Sequence, residues 1–126
     1  MPKDKIAAFF EDYKKTFVQA NIEKISEFFH YPCIIAKAGS PVTGLNTPAE
    51  LQQFEQASLD YFESIQLKKA DIEVTSFQEF AGGNIICNAT FDLFGPDNAV
   101  LGQIKWVYHV LDIEGKLKIL TAHFVS

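Results

Sequence analysis

From Lys69 onward the hydrophobic and polar positions alternate in the manner of β-strands. Lys69 to Phe80, Ile85 to Phe94, Ala99 to Ile113 and Leu117 to Val125 are rich in Val, Ile, Phe, Tyr, Trp and Thr. Ala81-Gly82-Gly83-Asn84, Gly95-Pro96-Asp97-Asn98 and Glu114-Gly115 punctuate them, which predicts four long antiparallel strands joined by hairpin turns. Hairpins centred on those turns pair Phe77 with Asn88, Glu73 with Asp92, Asn88 with Lys105, Thr90 with Gln103 and Phe91 with Gly102, then Trp106 with His123 and Val107 with Ala122. Side chains alternate across a strand, so this register sorts the residues into two faces. One carries Cys87, Ala89, Phe91, Ile104, Trp106, Tyr108 and Val110 and is almost wholly apolar. The other mixes Phe77, Ile86, Val107, Leu111, Ala122 and Phe124 with Glu73, Asn88, Asp92, Lys105 and His109. Neither reads as an ordinary solvated surface, so both are expected to meet something.

Ahead of the strands the period changes. Ile6, Phe9, Phe10, Tyr13, Phe17 and Ala20 recur at helical spacing with charged residues between them, predicting an amphipathic helix of about four turns. Asn21 caps a second, short helix carrying Ile22, Ile25, Phe28 and Phe29, which Pro32 ends because the residue before a proline is pushed out of helical geometry. Cys33 to Lys37 and Val42 to Leu45 read as a short hairpin about Gly39-Ser40-Pro41. Thr47-Pro48-Ala49-Glu50 is a helix start with a capping box, opening a helix to about Ile65 with Leu51, Phe54, Tyr61, Phe62 and Ile65 inward. Helices segregated to one face of an antiparallel sheet make an α+β domain.

With 126 residues, 48% of them apolar, the chain has room for one domain with one core. A net charge of −5 and the lack of any basic cluster argue against a nucleic-acid surface. All 11 basic residues are lysine, so no guanidinium fork is on hand to grip phosphate or carboxylate in two places. No apolar run approaches the ~18 residues of a membrane span, and Met1-Pro2-Lys3-Asp4-Lys5 does not read as a signal peptide, so a cytoplasmic protein is expected. Cys33 and Cys87 sit in apolar strand-like runs and read as buried reduced thiols, against a disulfide or a reactive site. His30, His109 and His123 are scattered without zinc-ligand spacing, and no metal site is expected.

The element order, with the segment Ala20-Asn21-Ile22-Glu23-Lys24-Ile25-Ser26-Glu27-Phe28-Phe29 and the closing turn Asp112-Ile113-Glu114-Gly115-Lys116-Leu117-Lys118-Ile119, resembles the nuclear transport factor 2-like superfamily. That superfamily includes the SnoaL-like proteins and ketosteroid isomerase. The resemblance covers nearly the whole chain and implies a single domain over residues 1–126, in which a cone-shaped curved sheet wraps three N-terminal helices around a pocket. It also implies pairing of two copies through the outer sheet face. Matched to ketosteroid isomerase, Tyr13 falls at the oxyanion-hole tyrosine, Lys37 at the aspartate base and Val107 at the second oxyanion-hole acid. Two of three chemical groups are replaced, so steroid isomerisation by that mechanism is not expected.

Hydrophobicity alone places the apolar face inside, whereas the resemblance places the mixed face inside and leaves the apolar one for a homodimer contact. Following the resemblance, the expected site joins Tyr13, Asp92 and His109 as acid/base groups with Phe54, Phe77, Asn88, Lys105 and Phe124 around a small, mostly apolar ligand. Asp92 opposite Glu73 is a carboxylate pair whose crowding raises one pKa if the row is internal; on a sheet edge it is two solvated carboxylates. Lys105 beside Asn88 either fixes an anionic or carbonyl group or snorkels to the rim. His109 is a proton shuttle or a structural strand residue, and Tyr13 is equally a core residue of its helix. His123 goes with the outer face, and His30 with a helix C-terminus. No cofactor, nucleic acid or membrane enters this expectation. The rival is a non-catalytic dimerisation or adaptor module whose pocket is filled by its own side chains, 12 of which are phenylalanine.

Overall fold

A computed structural model describes residues 2–37 and 41–125. The elements run α1 (Pro2–Val18), α2 (Ile22–Glu27), β1 (Phe29–Ala36), β2 (Thr43–Leu45), α3 (Pro48–Ser64), β3 (Lys69–Phe80), β4 (Asn84–Phe94), β5 (Val100–Ile113) and β6 (Lys116–Phe124). One six-stranded sheet has the order β2-β1-β6-β5-β4-β3, antiparallel throughout except where β1 runs parallel to β6. The α+β architecture is as the sequence predicts. The helix starts are too: the Asn21 side chain accepts from the Lys24 N–H at 3.2 Å, and the Thr47 hydroxyl accepts from the Glu50 N–H at 3.2 Å.

Two local expectations need correction, and a third falls outside the described residues. The second helix stops at Glu27 rather than at Pro32, because the chain from Phe29 to Ala36 is a strand, paired with β6 at Phe29 and from Ile34 to Ala36, and Pro32 lies within it. On α3, Tyr61 is 59% exposed; the buried positions are Leu51, Glu55 and Leu59, four residues apart on one face. The turn assigned to Gly39-Ser40-Pro41 lies, for Gly39 and Ser40, outside the described residues.

The strand registers differ from the simple hairpins, through the length of two turns and through bulges. Each strand pair of the meander carries a bulge, an extra residue on one strand that bends the sheet and moves the following side chains to the other face. Between β3 and β4 the turn is one residue shorter than expected, with Phe80 opposite Asn84 and hence Phe77 opposite Cys87, and the bulge between Val74 and Ser76 then sets Glu73 opposite Thr90. Between β4 and β5 the loop takes in Ala99 and the bulge takes Leu101, so Asn88 faces Val107 and Thr90 faces Lys105. Between β5 and β6 the predicted pairing of Ile113 with Lys116 holds, but beyond Leu120 it slips, and Trp106 faces Phe124.

The sheet curves around α1 and α3 with its apolar face inward. Cys87, Ala89, Phe91, Leu93, Tyr108, Val110, Ile119 and Ala122 are all buried, joined by Phe10, Ile6, Ile25, Ile35 and Leu51. The expectation that the mixed face lines the interior is therefore corrected. A fully buried large apolar side chain gains about 1.5–3 kcal/mol over leaving it in water, whereas burying Asn88, Asp92, Lys105 and His109 would cost the desolvation of four polar groups. The bulges bring Phe77 and Phe124 over to the inner side, where both pack against the core or its rim.

Candidate functional site

Among the described residues, Glu55 is the charged one that the fold buries. It sits one turn after Leu51 and one turn before Leu59, so the spacing that carries those leucines into the core carries its carboxyl there too, leaving it 5% exposed. Burial pushes its pKa above the usual carboxylate value, against the opposing pull of the Lys37 ammonium and of the neighbouring Ser58 hydroxyl. Lys37, just past the end of β1, reaches the same group indirectly: its Nζ donates to Ser58 Oγ at 3.1 Å and lies 4.9 Å from the centre of the Phe54 ring. Lys37, Ser58 and Glu55 thus form a short polar line through an apolar layer.

Glu55 and Ser58 line a cavity of about 60 Å³ whose other walls are Tyr13, Phe17 and Val18 of α1, Phe62 and Leu67 at the end of α3, and Phe91, Leu93, Ile104, Trp106 and Tyr108 of the sheet. The half-buried Lys14, Phe17, Val18, Phe62 and Leu67 make its rim. Tyr13 and Tyr108 meet edge to face at 6.2 Å, and Trp106 stacks on Tyr108 at 5.9 Å with the ring planes 17° apart. Burial first, then the neighbouring Tyr108 and Glu55, hold the Tyr13 hydroxyl well above the ordinary phenol value. Tyr108 is likewise raised, by burial and then by Glu55 and Cys87. Both phenols stay protonated and can only offer O–H donors and lone pairs. Burial also pushes the thiols up, Cys33 to about 11 and Cys87 to about 12, which leaves them inert as nucleophiles. Among the described residues no group of three or more His, Cys, Asp or Glu could hold a metal ion, and no helix is long and apolar enough to cross a membrane.

Of the residues singled out from sequence, Tyr13 lines this cavity. Asn88, Asp92, Lys105 and His109 lie on the outer face, where Lys105 is exposed and the other three make local bonds. Asn88 donates to Ser76 Oγ at 2.7 Å, Gln103 donates to Asp92 Oδ1 at 2.8 Å, and His109 Nε2 is 2.8 Å from Asn84 Oδ1. Asp92 faces Asp71 rather than Glu73 across the β3–β4 ladder, so the expected carboxylate pair is not made. Phe54 lies under Lys37, and Phe124 packs on Trp106 at 5.3 Å. Glu55, Ser58, Trp106 and Tyr108 are site residues that the sequence reading does not supply; for Glu55 a signal exists, a glutamate at i+4 and i−4 from two leucines. A second, larger cleft of about 360 Å³ lies among Lys5, Glu79, Phe80, Asn84 and Asp112. Its polar groups are solvated and include the Lys5–Asp112 ion pair at 3.2 Å, so nothing there is under the electrostatic tension seen at Glu55.

The fold has many relatives of known structure. A family model described as NTF2-like protein (DUF6841) matches residues 3–126. No functionally curated protein matches the chain. Among solved structures, an NTF-2 like protein of unknown function from Shewanella oneidensis MR-1 superposes with a TM-score of 0.75 at 12% identity, covering 100% of both chains. ActVI-ORFA from Streptomyces coelicolor gives 0.71 at 12% identity over 98% of this chain and 95% of its own. The yeast UBP3-associated protein BRE5 gives 0.67 at 12% identity over 100% and 98%. At such identities the likeness is one of fold.

Proposed function

We propose that this chain, which belongs to the NTF2-like family (DUF6841), is a small-molecule-binding domain whose site is the cavity between α1, α3 and the inner sheet face. The observation that carries the reading is a carboxyl group, 5% exposed, on the wall of an otherwise aromatic cavity. A leucine would fill the same space without the cost of desolvating a charge. A buried carboxyl with a raised pKa beside a cavity is instead the form that acid/base groups take. Glu55 is the group placed to give or take a proton, Ser58 and Lys37 set its charge, and the neutral Tyr13 and Tyr108 hydroxyls are placed to hold a polar atom of the ligand. The reaction class within reach is proton transfer on the ligand by the chain's own side chains, of the isomerase, dehydratase or hydrolase type. A fragment library tested by thermal shift against wild type and Glu55→Leu checks this. Fragments that raise the melting temperature of wild type and leave Glu55→Leu unmoved support it, and a library with no such fragment counts against it.

A second reading has its own observation. The cavity is well below the roughly 300–1,000 Å³ of usual ligand sites, while the outer face carries Ile34 at 44% and Ile86 at 37% exposure in one cross-strand row with Thr121 and His109. That row, with Val107 beside it, suits a homodimer contact, and with it a role as an association module. The likeness in fold to yeast BRE5, a UBP3-associated protein, is in keeping with such a role. Sedimentation of wild type and Ile86→Lys tests it: a dimer that the substitution dissociates supports the contact, and a monomeric wild type removes it.

A further inference from the structure

We propose that the cavity takes a small organic cation, an ammonium of a few heavy atoms, with the Glu55 carboxylate as its counter-charge and aromatic rings as its walls. The proposal rests on the reading of the cavity as a ligand site.

Two charged side chains line the cavity, Glu55 and Lys14. Lys14 is ion-paired with Glu11 one turn away on α1, so its charge is already met. What remains for an occupant is the negative charge of Glu55. The walls around it are ring faces and edges: Tyr13, Phe17, Phe62, Phe91, Trp106 and Tyr108. Ring faces attract a cation through their quadrupole, more strongly where water is kept away, and cages of this composition suit ammonium groups. An anion entering here would add to the cost already imposed on the carboxylate, and a neutral molecule would leave that cost in place. A cation relieves it.

Size narrows the class. About 60 Å³ is more than the ~10–15 Å³ one water needs and less than the ~150 Å³ cavity that accepts benzene. Methylammonium is of that size, and tetramethylammonium, about as large as benzene, probes its upper limit.

Lys37 is the internal competitor. Its ammonium rests over the Phe54 ring and reaches Glu55 only through Ser58, so it holds part of the carboxylate's charge from outside the cavity wall. Removing it should free Glu55 for the ligand, whereas a ligand bound through the lysine would be lost with it.

The groups facing Glu55 are Tyr13 from α1, Cys33 from β1, Lys37, Ser58 on its own helix and Tyr108 from β5. The phenols and the thiol are raised well above neutrality, so a pH response of the site below their range belongs to Glu55.

The chain's single tryptophan, Trp106, lines the cavity and reports entry by its emission. Tetramethylammonium, which has no proton to lose, is titrated at constant ionic strength beside methylammonium, neutral tert-butanol and anionic pivalate. The expected result is saturable tetramethylammonium or methylammonium binding at least about tenfold tighter than tert-butanol. It should strengthen as pH rises through the Glu55 pKa, weaken about tenfold or more in Glu55→Gln, and strengthen in Lys37→Met when each protein is compared on its own high-pH plateau, where Glu55 is ionised in both. Equal binding of the neutral probe, an indifferent Glu55→Gln or a Lys37→Met weakened on that plateau overturns the proposal. If tert-butanol or pivalate binds and neither cation does, the cation is wrong and the cavity remains a site. If no probe changes the emission or the melting temperature, the cavity reading falls with it.

Discussion

Glu55 shows how one residue can set the pH response of a fold. Its pKa is raised in the folded state from an ordinary value of 4.5, chiefly by burial. The folded protein therefore binds a proton more tightly than the unfolded chain, and the associated stability is present in full below the ordinary carboxylate range. It is lost as pH rises through the folded pKa. Denaturant unfolding is expected to show stability falling over that window, and Glu55→Gln should flatten the slope and stabilise the protein at neutral pH by on the order of 1 kcal/mol. Lys37→Met should do the reverse, raising the Glu55 pKa further and destabilising at neutral pH. Its effect should largely vanish in a Glu55→Gln background, where a double-mutant cycle reads the coupling directly. Tyr13 is legible in the sequence as a helix-face residue, but Glu55 is concealed by its own type. A glutamate is so rarely buried that an inward stripe read from hydrophobicity passes around it, through Phe54 and Tyr61.

At the level of elements, capping and turn chemistry are readable from a few residues, because they depend on contacts within one turn of chain. Asn21 and Thr47 cap as expected, and Thr47→Ala should cost about 1 kcal/mol in urea unfolding through the loss of its bond to the Glu50 N–H. Register is not readable to the same degree. A bulge is one residue in excess on one strand, and nothing in the alternation at Thr75, Leu101 or Leu120 distinguishes it from a continuing ladder. The glycines at the turns separate two kinds of constraint. Gly83 has φ of 76°, and a Cβ there would lie 2.5 Å from the Asp112 carbonyl oxygen; Gly115 has φ of 88° with open space around it. Gly83→Ala should therefore cost about 1–3 kcal/mol, and clearly more than Gly115→Ala, which carries the backbone strain alone. Melting temperatures of the two variants compare them.

For the whole molecule the instructive point is which face of the sheet went inside. The hydrophobic pattern and the family resemblance give opposite answers, and burial follows the pattern, with Trp106 and Tyr108 beneath the helices and Lys105 facing solvent. Fold-level likeness fixes where a cavity lies but says nothing of which side chains line it, since these depend on register. The outer face that results is graded rather than uniform, from Ile34, Thr121, His109 and Ile86 to Glu73, Thr90 and Lys105. Any homodimer through it should be centred on the former row. Ile86→Lys is then expected to lower the dimer fraction seen by sedimentation, and Lys105→Ala to leave it nearly unchanged.

The parallel pairing of β1 with β6 places the strand furthest along the chain between the first strand and the rest of the meander. The β1–β2 hairpin is complete in sequence by Leu45, yet its join to the rest of the sheet waits for Thr121 to reach Ile34. A growing polypeptide would hold that edge of β1 unpaired until the closing stroke, which is where a chaperone would find its handhold.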